Sequence, residues 1–399
     1  MKRTFAATTL ALAMLAANAS AASAEPVRIG VLTDMSGPLS ATLGQGSVEG
    51  ARLAVEEFGG KVLGQPVEVL FADHQNKPDV GTAIARKWLE QDGVSLILDL
   101  GHSAIALAVQ HMVTERNKVI ITTGAASSAL TGKACSPNGF HWGYDTYQAA
   151  VASAKELVRR GGDTWYFVTA DYAYGHSLEA DTTKAVTAAG GKVLGSVRHP
   201  INNMDFSSHL LQAQSSGAKV IGIASAVSDL QNALKQGHEF NVFSDKQRPA
   251  PMGILLVDVK SIGLPALQGA TFSTVFYWDA DERTRELAKR FEKKTQRPPT
   301  EPHAMNYSAV LHYLKAIEAA GTTDTKAVLA KMRETKINDA TTNNAWIRAD
   351  GRVMRDIHLA SAKRPADAKG DWDLFAIQGT IRAEDAFRPA GESECPLLK

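Results

Sequence analysis

Thr122-Thr123-Gly124-Ala125-Ala126-Ser127 closes a short apolar run and has the residues to hold an anion. Glycine and alanine let backbone N–H groups come close to a ligand, and with the Ser127 hydroxyl they could grip a carboxylate. The same residues suit an ordinary strand-to-helix turn with Ser127 as its N-cap. The two roles are compatible, because an N-cap region is itself an anion site. His102 follows a second apolar run, 94–100, at its carboxyl end. It reads either as a structural histidine or as a donor to a bound acid; in the second case acid binding weakens above neutral pH. The Gly-rich segment 33–46 has the placement of a phosphate loop but not its residues. It lacks GxGxxG, GxxxxGK[ST] and any lysine, and Asp34 and Glu49 would repel phosphate. No GxSxG, HExxH or CxxC marks an enzyme, and the possible acid–base pair Asp171 and His176 has no evident nucleophile beside it.

These candidates stand at the ends of strands. Residues 27–32 form an apolar, β-branched run, and Val48, Ala51, Leu53, Ala54, Val55 and Phe58 then recur at helical spacing. Strands at 66–72, 94–100 and 119–122 alternate with helices at 79–91 and 104–116. After the aromatic stretch 140–146 a second series begins. It has helices at 147–160, 178–189, 207–215 and 228–236 between strands at 165–169, 192–199, 219–224, 252–257 and 270–277. Strands alternating with helices at this spacing predict right-handed crossovers and buried parallel sheets. Helices at 281–295, 303–320 and 325–334 and short strands at 344–347, 353–359 and 372–378 are too few and mixed for a third core. They are expected to complete two α/β lobes, whose ligands bind beyond the carboxyl ends of the strands.

The 399 residues are long enough for two domains, and 44% hydrophobic with 21% charged residues fits a globular protein. A formal charge of +1 suggests neither a nucleic-acid nor a membrane-surface partner. Lys2 and Arg3, an apolar 5–15 and Ala22-Ser23-Ala24 read as a signal peptide over 1–24, cleaved after Ala24. No later stretch is long and apolar enough to span a bilayer, so an exported protein, most simply periplasmic, is expected. In an oxidising compartment the two cysteines, Cys135 and Cys395, favour one disulfide over two free thiols.

The chain as a whole resembles the leucine-binding family of periplasmic binding proteins, which serve ABC transporters of the branched-chain amino acid type. The resemblance rests on the order of its pieces after the signal peptide. These are IGVLTDMSGP, GxxEGARLAVEE, DHQNKPD at 73–79, ITTGAAS at 121–127, DYAYG at 171–175, NMDFS at 203–207 and YSAVLHYLKAI at 307–317. It implies the type I fold, two Rossmann-like lobes with parallel sheets joined by three crossovers, here near Thr146, Thr274 and Thr342. The first lobe would be 25–145 plus 275–341, the second 146–274 plus 342–391, and 392–399 a tail.

The resemblance implies that a small ligand sits between the lobes, its carboxylate held by 101–104 and 122–127. His102, Ser103, Ala104, Ala125, Ala126 and Ser127 are the residues so placed. Tyr174 matches a cleft tyrosine of the second lobe, and Tyr144 and Tyr147 flank the first crossover. Where the amino acid binders carry an acid for the ligand's ammonium, this chain has Leu255, with Asp258 three residues on; the second-lobe aromatic near 223–227 is replaced by IASAV. A buried ammonium without a carboxylate partner costs several kcal/mol, roughly. The expected ligand is therefore an aromatic or oxo carboxylate lacking an α-amino group. An amino acid is the alternative, if Asp258 takes the acidic role. The implied partner is a membrane permease; a monomer without cofactor, metal or catalytic residues is expected, and a ligand sensor is the competing role.

Overall fold

The computed structural model describes residues 25–268 and 270–399. The expected signal peptide lies outside the described residues. In the first lobe β1 (Val27–Thr33) leads through a loop into α1 (Gly44–Phe58), and a hairpin of β2 (Lys61–Val62) and β3 (Gln65–Asp73) follows. Then come α2 (Pro78–Glu90), β4 (Val94–Asp99), α3 (Ser103–Glu115), β5 (Val119–Thr122) and β6 (Gly139–His141). They make one sheet in the order β2-β3-β1-β4-β5-β6, parallel from β3 to β6. Ile29, Val31, Leu32, Leu96, Ile97 and Leu98 are all buried, because helices cover both faces.

The chain crosses at 142–145 into α4 (Thr146–Arg159), β7 (Thr164–Ala170), α5 (Ala173–Ala188), β8 (Lys192–His199) and α6 (Ser207–Ser215). The second lobe continues with β9 (Val220–Ala224), α7 (Val227–Glu239), β10 (Arg248–Pro251), α8 (Leu256–Ile262) and β11 (Thr271–Thr274). Its parallel sheet has the order β10-β9-β7-β8. After β11 the chain returns to the first lobe as α9 (Glu282–Thr295), α10 (Glu301–Ala320) and α11 (Thr325–Glu334). Helix α10 lies so close along α1 that only glycine fits at two contacts. A Cβ on Gly46 would stand 2.2 Å from the His303 ring, and one on Gly50 2.3 Å from the His303 carbonyl oxygen. The His303 ring reaches the Leu43 carbonyl at 2.8 Å and so fixes the loop between β1 and α1.

The last third departs from the expected boundaries. Thr342–Ile347, placed by the sequence in the second lobe, is strand β13 of a small antiparallel sheet with β12 (Ile337–Asp339) and β14 (Val353–Met354). This sheet stays with the first lobe: the Ser308 hydroxyl of α10 donates to Asp339 at 2.6 Å, and the His141 N–H donates to the Gly351 carbonyl at 2.9 Å. The third crossing therefore falls between β14 and β15 (Ile357–Ala362), which splits the strand expected at 353–359 in two. Strand β15 pairs antiparallel with β11 and with β16 (Phe375–Ile381), inside the second lobe. A short α12 (Ala383–Ala386) leads into the tail, and a Cys135–Cys395 disulfide ties that tail to the first lobe.

The strand expected at 252–257 lies instead at β10, and 256–262 is helical. Pro249 and Pro251 hid the strand. Proline is tolerated on an edge strand, and β10 pairs with β9 alone. Helix α5 starts at Ala173, so Tyr174 and His176 are helical, ahead of the helix expected to start at 178. No described helix is long and apolar enough to cross a membrane.

Candidate ligand-binding cleft

The loops that leave β1, β4 and β5 face those that leave β7, β9 and β10 across the gap between the lobes. On the first lobe the β1–α1 loop is held by two carboxylates. Asp34 accepts from the Gly37 and Leu39 N–H groups at 2.8 and 2.9 Å, and Asp73 accepts from Met35 N–H at 3.0 Å and the Ser36 hydroxyl at 2.5 Å. Burial raises the Asp34 pKa in spite of its backbone donors. This bracing presents Leu39, Thr42 and Leu43 to the cleft.

The second loop begins where Asp99 and Leu100 take left-handed backbone, with φ of 83° and 56°, and turns into α3. His102 is the N-cap of α3: its Nδ1 accepts from Ala104 N–H at 3.1 Å. The third loop packs on the second, since the Ser127 N–H donates to the Ser103 hydroxyl at 3.3 Å. From the second lobe come Tyr172 and Tyr174 at the start of α5, Ala226 and Val227 at the start of α7, and Gly253, Leu255 and Asp258 around the start of α8. Val227 is a β-branched residue at φ 41°, a strained conformation of a kind that clusters at ligand sites. Together the six loops enclose a cavity of about 20 Å³.

Ser103, Ala126, Tyr144, Tyr174 and Asp258, all singled out from the sequence, line this cavity, with Gly101 and Gly124 of the two carboxylate-binding segments. The other five candidates stand behind it. His102 is 4% exposed, with its ring 5.0 Å from that of Tyr172. Burial, with His74 nearby, holds His102 down to about 4, so it is neutral throughout the range in which a pH-dependent affinity was expected of it. Ser127 caps the short turn Ser128–Leu130, and its hydroxyl lies 2.7 Å from that of Ser177 on α5, a link between the lobes rather than a free donor. Ala104 is the backbone donor to His102, and Ala125 packs into the core under α3. Tyr147 lies under the Arg388 guanidinium, 5.2 Å from its ring centre. Leu39, Thr42, Leu43, Tyr172, Val227 and Gly253 were not singled out. For Leu39, Thr42 and Leu43 the signal was the place of their loop at the carboxyl end of the first strand; for Tyr172 it was the spacing of Tyr172 and Tyr174 in DYAYG, which required α5 to start early.

The electrostatics centre on Asp258. Its carboxylate is buried and accepts from Gln231 Nε2 at 3.0 Å and from Leu255 N–H at 2.9 Å. Burial pushes it up to about 6 against those two donors. Tyr174 and Tyr144 face it, with both phenols driven up by burial and so neutral. The Tyr174 hydroxyl sits over Gly253, where a Cβ would be 2.3 Å away, and has no hydrogen-bond partner among the described residues. Behind Tyr144, Glu301 accepts from the Thr274 hydroxyl at 2.5 Å and from Val275 N–H at 3.2 Å at the second crossing, and burial pushes it up to about 7. Among the described residues no three His, Cys, Asp or Glu side chains gather as a metal site.

The periplasmic binding protein family model matches residues 26–371. A periplasmic binding protein from Burkholderia mallei is similar in structure, with a TM-score of 0.92 and 41% identity over 94% of this chain and 100% of that one. A branched chain amino acid ABC transporter periplasmic ligand-binding protein from Burkholderia xenovorans LB400 has a TM-score of 0.83 and 42% identity, over 94% and 100%. Among curated proteins, Leu/Ile/Val-binding protein homolog 6 of Brucella abortus is 30% identical over 210 residues, 52% of this chain, and the match spans only about half (53%) of that protein's length. With its two α/β lobes, three crossings and intervening cleft, this chain belongs to the periplasmic binding protein family, in the type I group of the branched-chain amino acid transporters.

Proposed function

We propose that this protein captures a small apolar α-amino acid between its lobes and delivers it to the membrane permease of an ABC importer. The observation that carries the reading is the placement of Asp258 in the same cavity as Ser103, Gly124 and Ala126. A zwitterion needs an acid at one end and N–H donors at the other. Asp258 with the Tyr174 hydroxyl offers the first, and the α3 start with the Gly124–Ala126 turn offers the second. Leu39, Leu43, Ala226, Val227 and Leu255 supply an apolar wall for an aliphatic side chain. The expectation of a ligand without an α-amino group rested on Leu255 standing where an acid was sought. Leu255 precedes α8 and Asp258 lies in its first turn, so the fold brings both to the cavity. The names of the Burkholderia xenovorans and Brucella relatives support the same ligand class.

A cavity of about 20 Å³ has room for about one water, so an amino acid enters only as the lobes part about their three crossings. Export by cleavage after Ala24, a periplasmic location and a monomeric state complete the proposal. A second reading, an oxo or aromatic acid, draws on one observation: a carboxyl pushed up to about 6 can be protonated in mild acid and then donate to a ligand oxygen. Thermal shifts with leucine and valine against 4-methyl-2-oxopentanoate and benzoate, at pH 8 and pH 5, decide between them. At a hundredfold excess over Kd a ligand adds about 2.7 kcal/mol of stability, enough to read directly. The amino acids are expected to stabilise at both pH values. Stabilisation by the acids alone, stronger at pH 5, would replace the first reading by the second.

A further inference from the structure

Asp99 is a buried acid that does not itself line the cavity, yet it joins two first-lobe turns that do, 101–103 and 124–126. It ends β4 at φ 83° and is followed by Leu100 at φ 56°, two successive non-glycine residues in the left-handed region. Such strain persists only where the surroundings over-determine it. It turns the chain so that Gly101 and Ser103 reach the cleft. The Asp99 carbonyl accepts from both Thr123 N–H and Gly124 N–H, each at 3.2 Å, and so sets the second ligand-facing turn against the first. Its carboxylate repeats the connection: Oδ1 accepts from the Thr123 hydroxyl at 3.0 Å and from Asn306 Nδ2 of α10 at 3.3 Å. The Thr123 hydroxyl is also 2.7 Å from Asn306 Oδ1. The packing leaves no slack, because a Cβ on Gly124 would lie 3.1 Å from Asp99 Oδ1, 3.1 Å from Gly101 Cα and 3.0 Å from Leu43. The hydroxyls of Thr33 and Ser47 face the same carboxylate from the β1 end and from α1.

We propose that Asp99 is the positioning residue of the ligand site: it fixes the separation of the 101–103 and 124–126 turns and ties it to α10. This rests on the reading of the cavity as the ligand site, but its main test needs no ligand. Amide hydrogen exchange of the mature protein is followed in the wild type and in Asp99→Ala and Asp99→Asn. Asp99→Ala removes the carboxylate links and places an unsuitable residue at φ 83°. It is expected to lose at least tenfold protection in both turns, with the β7 and β9 strands unchanged. Asn tolerates left-handed backbone and keeps an acceptor for Thr123 and Asn306, so Asp99→Asn is expected to recover most of that protection. Leucine affinity, measured by calorimetry, should fall at least tenfold in the Ala variant and largely return in the Asn variant. If the wild type binds no amino acid, the proposed function fails while the exchange result still judges Asp99. Uniform loss of protection over the whole chain, or loss at one turn only, would overturn the proposal. Should Asp99→Ala not fold, Thr123→Val cuts one of the carboxylate links and is expected to loosen 123–127 selectively; unchanged protection there would count equally against it.

Discussion

Replacing Asp258 by asparagine separates affinity from stability. The carboxylate stands at about 6 in the folded protein against 3.8 in a free aspartate. A pKa raised on folding marks a penalty on the ionised form: it is fully present above pH 6 and is relieved as pH falls through 6 towards 3.8. At 1.36 kcal/mol per unit, the penalty at pH 8 is about 3 kcal/mol. Asparagine removes it, but Gln231 Nε2 and Leu255 N–H bond to different carboxylate oxygens, Oδ1 and Oδ2, and asparagine keeps only one of the two, so one hydrogen bond is lost at about 1 kcal/mol. The free variant should therefore be about 2 kcal/mol more stable than wild type at pH 8 and no more stable near pH 4. Binding moves the other way. A hydrogen bond to a charged group contributes about 1.5–3 kcal/mol, so leucine or valine affinity should fall roughly ten- to 150-fold. Chemical denaturation at the two pH values and titration calorimetry read the two quantities. A variant less stable at pH 8 with unchanged amino acid affinity would refute the reasoning and leave Asp258 as a helix cap.

The Cys135–Cys395 bridge spans 260 residues, and the chain-entropy model gives it about 5.6 kcal/mol, so Cys135→Ser/Cys395→Ser should unfold at markedly lower denaturant; an unchanged midpoint would remove the tail from the cooperative unit. His74 is buried and held down to about 4 by desolvation. A depressed histidine loses stability as pH falls from 6.5 to 4, because the unfolded chain takes the proton first; His74→Gln should lose less stability than wild type over that interval, by up to about 3 kcal/mol, in pH-dependent denaturation. Gly50→Ala places a methyl 2.3 Å from the His303 carbonyl oxygen and should cost about 1–3 kcal/mol or prevent folding, measured by thermal unfolding; no loss would mean that α1 and α10 separate freely.

Much of the site's frame was legible because backbone chemistry is local. The turn after 119–122 and the cap after 94–100 were readable from glycine, alanine and serine at the ends of apolar runs, and both segments border the cavity. Side-chain direction was not legible. His102 and Ser127 look like ligand contacts in a list of residues, but each bonds to backbone two residues on and turns from the cavity. The edge strand at 248–251 was hidden for the opposite reason: its prolines argue against a strand unless the neighbour is known to pair on one side only.

The sequence by itself determined two α/β lobes, most of their alternating strands and helices, and the one possible disulfide pair, because periodicity, turn residues and cysteine count are local properties. Only the tertiary structure decided the third crossing at 354–357, where the pairing of β13 with β12 and β14 outweighs chain order. It also decided that Asp258 shares a cavity with Ser103 although 155 residues separate them. Which acid faces the cleft is set by the turn of α8 and by the lobe opposite, and no spacing along the chain carries that information.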